Sequence, residues 1–192
     1  MEIKSAAFAI TGSFCSISPC LDVMLALAKK GVNITPVISQ AVAETDTRFF
    51  KASELHGFIR EITQTEIIKT VKDAEPLGPK NLTDILIVAP CTSNTLAKLA
   101  NGINDTPVTM AVKSVLRNGK PVVIALSTND GLGASASNIG TLLNRRNIFF
   151  VPFTQDDPEK KPRSLVARFE LIIQTAVEAV NGRQIQSILY KG

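Results

Sequence analysis

Three short stretches hold the residues best suited to binding an anion without using formal charge. Thr11-Gly12-Ser13-Phe14-Cys15-Ser16 is small and rich in hydroxyls, Ser39 follows a second apolar run, and Pro90-Cys91-Thr92-Ser93-Asn94-Thr95 follows a third. Each lies where an apolar run gives way to a helix-like segment. Free N–H groups and the helix dipole favour a phosphate there, and hydroxyls and amides add neutral donors. Converging at one edge, the three would suit a phosphorylated cofactor with a polar heterocycle. Other chemistries find less material. His56 is the only histidine and stands in Glu54-Leu-His-Gly57 without an orienting partner, so no Ser-His-Asp arrangement can be assembled and it reads as a surface or loop residue. Cys15, Cys20 and Cys91 form no C-x-x-C and supply neither a disulfide framework nor a zinc site. They point to a reducing, cytoplasmic setting. A helix start beside Cys91 would lower its thiol pKa, although packing as a small apolar group is the simpler reading.

The elements that must position these turns are legible from hydrophobic patterning. Five apolar runs, Ser5–Thr11, Val32–Ser39, Asp84–Ala89, Pro121–Ser127 and Asn147–Phe153, read as strands. Ile85–Ala89 and Val122–Leu126 are continuously apolar, as strands covered on both faces require. Helices are predicted over Pro19–Lys30, Gln64–Asp73, Thr92–Asn101, Val108–Asn118 and Ser135–Arg146. The clearest spans Ser164, a good N-cap, to Gly182, a good C′ residue, with Leu165, Val166, Phe169, Ile172, Ile173, Ala176, Val177 and Val180 on one stripe. The alternating β-α order predicts a three-layer α/β/α sandwich with a mainly parallel, doubly wound, flavodoxin/Rossmann-like sheet, forming one domain over 1–192. Ligands in such sheets bind beyond the carboxyl ends of the strands, where the strand order reverses. Ala41–Gly57 and Glu75–Thr83 do not fit minimal alternation and read as binding loops, lids, surface excursions or subunit contacts. Asp130-Gly131-Leu-Gly133-Ala-Ser-Ala136 matches G-x-G-x-x-A, but it follows the fourth strand and no acidic strand end follows it. It reads as a flexible loop leading into a helix at Ser135.

Composition narrows the class. The 192 residues are 45% hydrophobic and 20% charged, too apolar for a disordered chain. No apolar stretch approaches the roughly 20 residues of a membrane span, and the run after Lys4 is broken by Thr11, Gly12 and Ser13, so neither a membrane protein nor a secreted one is expected. The net charge of +4, carried by scattered pairs with no Trp and one Tyr, argues for anionic small molecules rather than nucleic acid.

Taken in order, Ile10-Thr-Gly-Ser13, Val37-Ile-Ser-Gln-Ala41, Ala89-Pro-Cys-Thr-Ser-Asn-Thr95 and Lys98-Leu-Ala-Asn-Gly-Ile-Asn-Asp105 resemble the flavoprotein superfamily of FMN-dependent cysteine decarboxylases and flavin prenyltransferases. The resemblance implies that Gly12, Ser13 and Ser39 hold an FMN phosphate, and that Pro90, Thr92, Ser93, Asn94 and Thr95 line the flavin ring, with Ser127 after the fourth strand. Thr45–Phe49, Ala74–Lys80, Ser127–Gly133 and Phe150–Pro158 extend it over nearly the whole chain to the B subunits of dipicolinate synthases. That implies oxidation of dihydrodipicolinate to dipicolinate in the mother cell of a sporulating bacterium, beside an NAD(P)-binding A subunit, in a homo-oligomer that is a trimer or a multiple of one. The Pro-x-Met-Asn-x-x-Met clamp of the decarboxylases and the Arg-Glu-Thr-Pro turn of the prenyltransferases are replaced here by Ser127-Thr-Asn-Asp130, which removes a strong phosphate contact. A dianionic substrate calls for cations: Arg48 and Lys80 are the first candidates, and Lys160, Lys161 and Arg163 lie in similar loops. The alternatives are a non-catalytic partner subunit with a relic flavin site and an independent FMN-dependent decarboxylase.

Overall fold

In the computed structural model, which describes residues 2–190, five parallel strands are built around the predicted apolar runs. They are β1 (Ser5–Ile10), β2 (Asn33–Ile38), β3 (Ile85–Cys91), β4 (Val122–Thr128) and β5 (Ile148–Phe150). Two short strands, β6 (Phe153–Thr154) and β7 (Leu165–Ala167), add antiparallel pairing. The order is β2-β1-β3-β4-β7-β6, with β5 also paired to β4. β4 thus serves two partners on one edge: β5 takes Val122–Ile124, and β7 takes Ser127 and Thr128. The helices are α1 (Ile17–Lys29), α2 (Gln40–Glu44), α3 (Ala52–Thr63), α4 (Val71–Ala74), α5 (Ser93–Ala100), α6 (Pro107–Arg117), α7 (Ala136–Leu143) and α8 (Ile172–Val180).

Strand alternation divides the core between the two faces. Ala6, Phe8 and Ile10 pack with residues of α1, α3 and α8, whereas Ala7 and Ala9 pack with residues of α4, α5, α6 and α7. Phe8, level with Pro36 and Ile87 on the flanking strands, is fully buried. The expected three-layer, doubly wound architecture is therefore present.

Local structure departs from the sequence expectation in three places. The helix predicted from Ser164 is a strand followed by a 3-10 turn, and α8 begins only at Ile172. Beyond Ile124 the edge of β4 has no β5 to pair with, and Leu165 and Val166 fill it, overriding their place on a helical stripe. Gly182 does terminate the helix, with φ +72°. The helix predicted over Gln64–Asp73 is largely extended: Ile68 donates to Pro36 and accepts from Ile38 along β2, leaving only α4 helical. A true helix, α3, instead lies partly in the Ala41–Gly57 stretch that does not fit minimal alternation, burying Leu55 and Ile59.

The Glu75–Thr83 segment is a brace rather than a lid. Leu77 is buried, the Gly78 N–H donates to Ser114 Oγ at 2.9 Å, and the Ser114 hydroxyl and the Asn118 amide donate to the carbonyls of Glu75 and Gly78. Asp84 continues the tie at the other end of the segment. Its Oδ2 accepts from the N–H groups of Lys4 and Ser5, both at 3.0 Å, and from Ser5 Oγ at 3.2 Å. Partial burial raises its pKa, but these donors and Lys120 outweigh that effect and hold it below 3.8. A depressed carboxyl pKa contributes stability that is present above the unfolded value and is lost as pH falls through the folded one. Asp84→Asn is expected to cost about 1–2 kcal/mol at neutral pH, a deficit that shrinks below roughly pH 4. Urea melts across pH check this, and a deficit constant down to pH 3 would contradict it.

Candidate functional site

The carboxyl ends of β1 and β3 meet where the strand order reverses, the usual ligand position in an open parallel sheet. Thr11 locks the two turns together. Its N–H and Oγ1 donate to the Pro90 carbonyl at 3.2 and 2.7 Å, and Oγ1 accepts from the Thr92 N–H at 2.9 Å. Thr11 is buried, so the crevice floor is fixed by the protein's own hydrogen bonds.

Above that floor the hydroxyls are distributed in two ways. Ser39 and Thr92 are helix caps: Ser39 Oγ accepts from the Val42 N–H at 3.4 Å, and Thr92 Oγ1 accepts from the Thr95 N–H at 3.3 Å. Ser13 makes no cap bond. Instead Ser127 Oγ lies 2.8 Å from both Ser13 Oγ and Ser16 Oγ, joining the turn after β1 to the end of β4. Gly12 lies beside Ala41, whose Cβ an added methyl would meet at an ordinary contact distance of 3.5 Å. Ser93 and Asn94 open the first turn of α5, Asn94 exposed, with Pro90 and Thr95 buried on either side.

Behind the three serines lies a cavity of about 400 Å³, lined also by Asn129, Asp156 and Lys161. The helical stripe from Ser164 masks, in the sequence, the β6-β7 segment that carries Asp156 and Lys161, although Lys161 itself lies in a loop singled out for cations. Lys161 Nζ is 2.8 Å from Asp156 Oδ2. Arg48 and Lys80 are not brought to this cavity. Arg48, exposed in the loop after α2, lies 4.8 Å over the Phe49 ring, and Lys80 precedes β3, at the amino end of that strand. Lys160 and Arg163 are exposed on the segment itself. A larger hollow of about 560 Å³ between Pro152, Leu171 and Tyr190 touches none of the predicted turns.

The turn geometry has a counterpart in sequence families: the model of the flavoprotein family matches residues 1–167. The chain belongs to the flavoprotein family. It is 42% identical over 186 residues to the B subunit of dipicolinate synthase from Bacillus subtilis (strain 168), spanning 97% of this chain and 93% of that protein. The crystal structure of the dipicolinate synthase B subunit from Bacillus halodurans C is similar throughout, with TM-score 0.90, 43% identity, and 98% and 96% of the two chains covered. An FMN-dependent cysteine decarboxylase shares the fold at TM-score 0.66 and 23% identity, over 92% of this chain and 97% of that one.

One candidate nucleophile drops out of this flavoprotein's crevice. Cys91 is fully buried, and burial pushes its thiol up to about 12, so the helix start beside it does not yield a thiolate. His56 is half-buried within α3 rather than on a loop, with Nδ1 3.4 Å from Lys69 Nζ. Burial, Lys69 and Arg60 lower its pKa against an opposing effect of the Val42 backbone, and Nε2 is buried with no hydrogen-bond partner among the described residues. The Asp130–Ala136 loop is not the flexible connection expected. Asp130 accepts from the hydroxyls of Thr128 and Ser135, and the Leu132 N–H donates to the Arg163 carbonyl at 2.9 Å. Among the described residues no helix is long and apolar enough to cross a membrane.

Proposed function

We propose that this flavoprotein is the B subunit of a dipicolinate synthase, acting with an NAD(P)-binding A subunit to oxidise dihydrodipicolinate to dipicolinate in the mother-cell cytoplasm of a sporulating bacterium. The observation that carries the reading is 42% identity sustained over 97% of the chain to a protein of that name. FMN is the proposed cofactor, and the donor chemistry of the crevice supports it. The α1 and α5 amino ends and the Ser13 and Ser39 hydroxyls offer a phosphate dipoles and neutral donors, while the Thr92–Thr95 turn offers polar atoms to a heterocycle.

Held there, FMN would supply an acceptor for the two electrons that leave the substrate as its ring aromatises, with NAD(P) on the A subunit as their final acceptor. The protein's part is binding and orientation. Gly12, Ser13 and Ser39 hold the phosphate; Pro90, Thr92, Ser93, Asn94 and Thr95 line the ring; Ser127 fixes the Ser13 and Ser16 hydroxyls. Thr11 keeps the two turns in register so that neither has to be ordered on binding. The proposed assembly is a homo-oligomer, a trimer or a multiple of one. A reconstituted assay tests the reading by following dipicolinate absorbance. Both subunits together should convert dihydrodipicolinate, and the A subunit alone should not. Full activity of the A subunit alone would favour a non-catalytic partner, and carbon dioxide release from a cysteine-type substrate would point to a decarboxylase.

A further inference from the structure

We infer that the basic, apolar-floored face at the amino ends of β4 and β5 docks a partner protein through a segment that carries carboxylates around apolar side chains. The inference rests on the reading of this chain as one subunit of a two-subunit enzyme, and it names the surface that the other subunit meets.

Two hollows of about 360 and 460 Å³ adjoin there, sharing Arg145 and Ile148. Helices α6 and α7 end beside them, just before the chain enters β4 and β5, so this face lies opposite the crevice at the carboxyl ends. Leu99, Val112, Leu116 and Ile148 floor the first hollow, and Leu143, 43% exposed, edges the second. Lys113, Arg117, Arg145 and Arg146 stand around this floor, all exposed, and no carboxylate lines either hollow. Arg145 is fixed. Its guanidinium donates to the Leu99 and Ala100 carbonyls at 3.2 and 2.6 Å, which serves the end of α5 without a carboxylate to neutralise the charge. Arg117 reaches Glu75 only at 4.0 Å. Among the described residues, the side chains of Lys113 and Arg146 have neither ion pair nor hydrogen bond. Four cations with one loose acid make a local positive field, which apolar walls strengthen. A segment bearing carboxylates is drawn in by that field and buries the apolar floor on docking. A phosphate polymer would satisfy the cations and leave the floor open to water, so the two features together select a protein. A second copy does not fit, because meeting through the same patch would set these cations against their equivalents.

The test uses the full-length, FMN-loaded chain with the NAD(P)-binding A subunit as the probe, measured by biolayer interferometry, and light scattering of the chain alone. Lys113→Glu combined with Arg146→Glu should weaken A-subunit binding about 10-fold or more, chiefly through the association rate. Lys113→Gln with Arg146→Gln, which adds no repulsion, should lose less in the same direction. Arg145 is left in place because it holds α5. Lys29→Glu with Lys30→Glu, at the end of α1 on the other layer, changes the net charge equally and should bind like the wild type. Salt at about 0.5 M should weaken the wild type more than the Lys113–Arg146 charge reversal. Equal binding by all variants, or an equal loss in the Lys29–Lys30 control, overturns the inference and leaves the functional reading intact. A change in the chain's own oligomeric mass on reversing Lys113 and Arg146 assigns the face to copies of this chain and also overturns it. No binding of the A subunit to the wild type removes the inference and the functional reading together.

Discussion

Ser13→Asp is expected to lower FMN affinity by about 100-fold or more while leaving the chain folded. Ser13 Oγ already bonds to Ser127 Oγ at 2.8 Å, and an aspartate there can accept from the Ser127 and Ser16 hydroxyls, so the turn after β1 keeps its partners. What changes is the field. Like charges about 5 Å apart at an effective dielectric of roughly 20 repel by about 3 kcal/mol, a loss of about two orders of magnitude. Ser13→Ala removes one neutral donor and should cost only about 1 kcal/mol, roughly 5-fold. Flavin-fluorescence titrations with thermal melts check both. Equal effects of the two substitutions would place the phosphate elsewhere.

Gly78→Ala carries the largest expected effect on stability. The φ of Gly78 is −78°, so backbone freedom is not what requires glycine. The reason is contact: an added Cβ would lie 2.0 Å from the Ser114 carbonyl oxygen and 2.6 Å from its carbon. Both belong to helix backbone, which cannot rotate aside, and any retreat breaks the bonds that hold the Glu75–Thr83 brace to α6. A cost of about 3 kcal/mol or more is expected, lowering Tm by roughly 6–12 °C. Gly57 is the control. It lies inside α3 with nothing within 4 Å of an added Cβ, so Gly57→Ala should gain up to about 1 kcal/mol. If both substitutions shifted Tm by similar small amounts, the close approach at Gly78 would be wrong.

The contrast between these two glycines marks how far the sequence can be read. The layer architecture follows from periodicity, because Ile85–Ala89 and Val122–Leu126 have no polar face and must be covered on both sides. The turns at Gly12-Ser13, Ser39 and Thr92–Thr95 are legible for the same reason: each follows a buried strand. Tertiary pairing is not legible. Leu165 and Val166 fit a helical stripe, and only the unpaired edge of β4 beyond Ile124 makes them a strand. The same competition hides the β6-β7 framework of the Asp156–Lys161 side of the cavity. Gly57 resembles a boundary and suggests a loop around His56, whereas the Leu55-Ile59 spacing is helical and buries α3. The Glu75–Thr83 brace is hidden among loop, lid, excursion and contact readings because the partner of Gly78, Ser114, is 36 residues away.

A working flavin site is tested most directly by titrating FMN into the purified full-length chain, following quenching of flavin fluorescence, with riboflavin as the phosphate-free control. A phosphate held by the turns after β1 and β2 requires stoichiometric, micromolar or tighter FMN binding and much weaker riboflavin binding. Equal affinity for the two flavins, or no quenching by FMN with the partner subunit present, would contradict it.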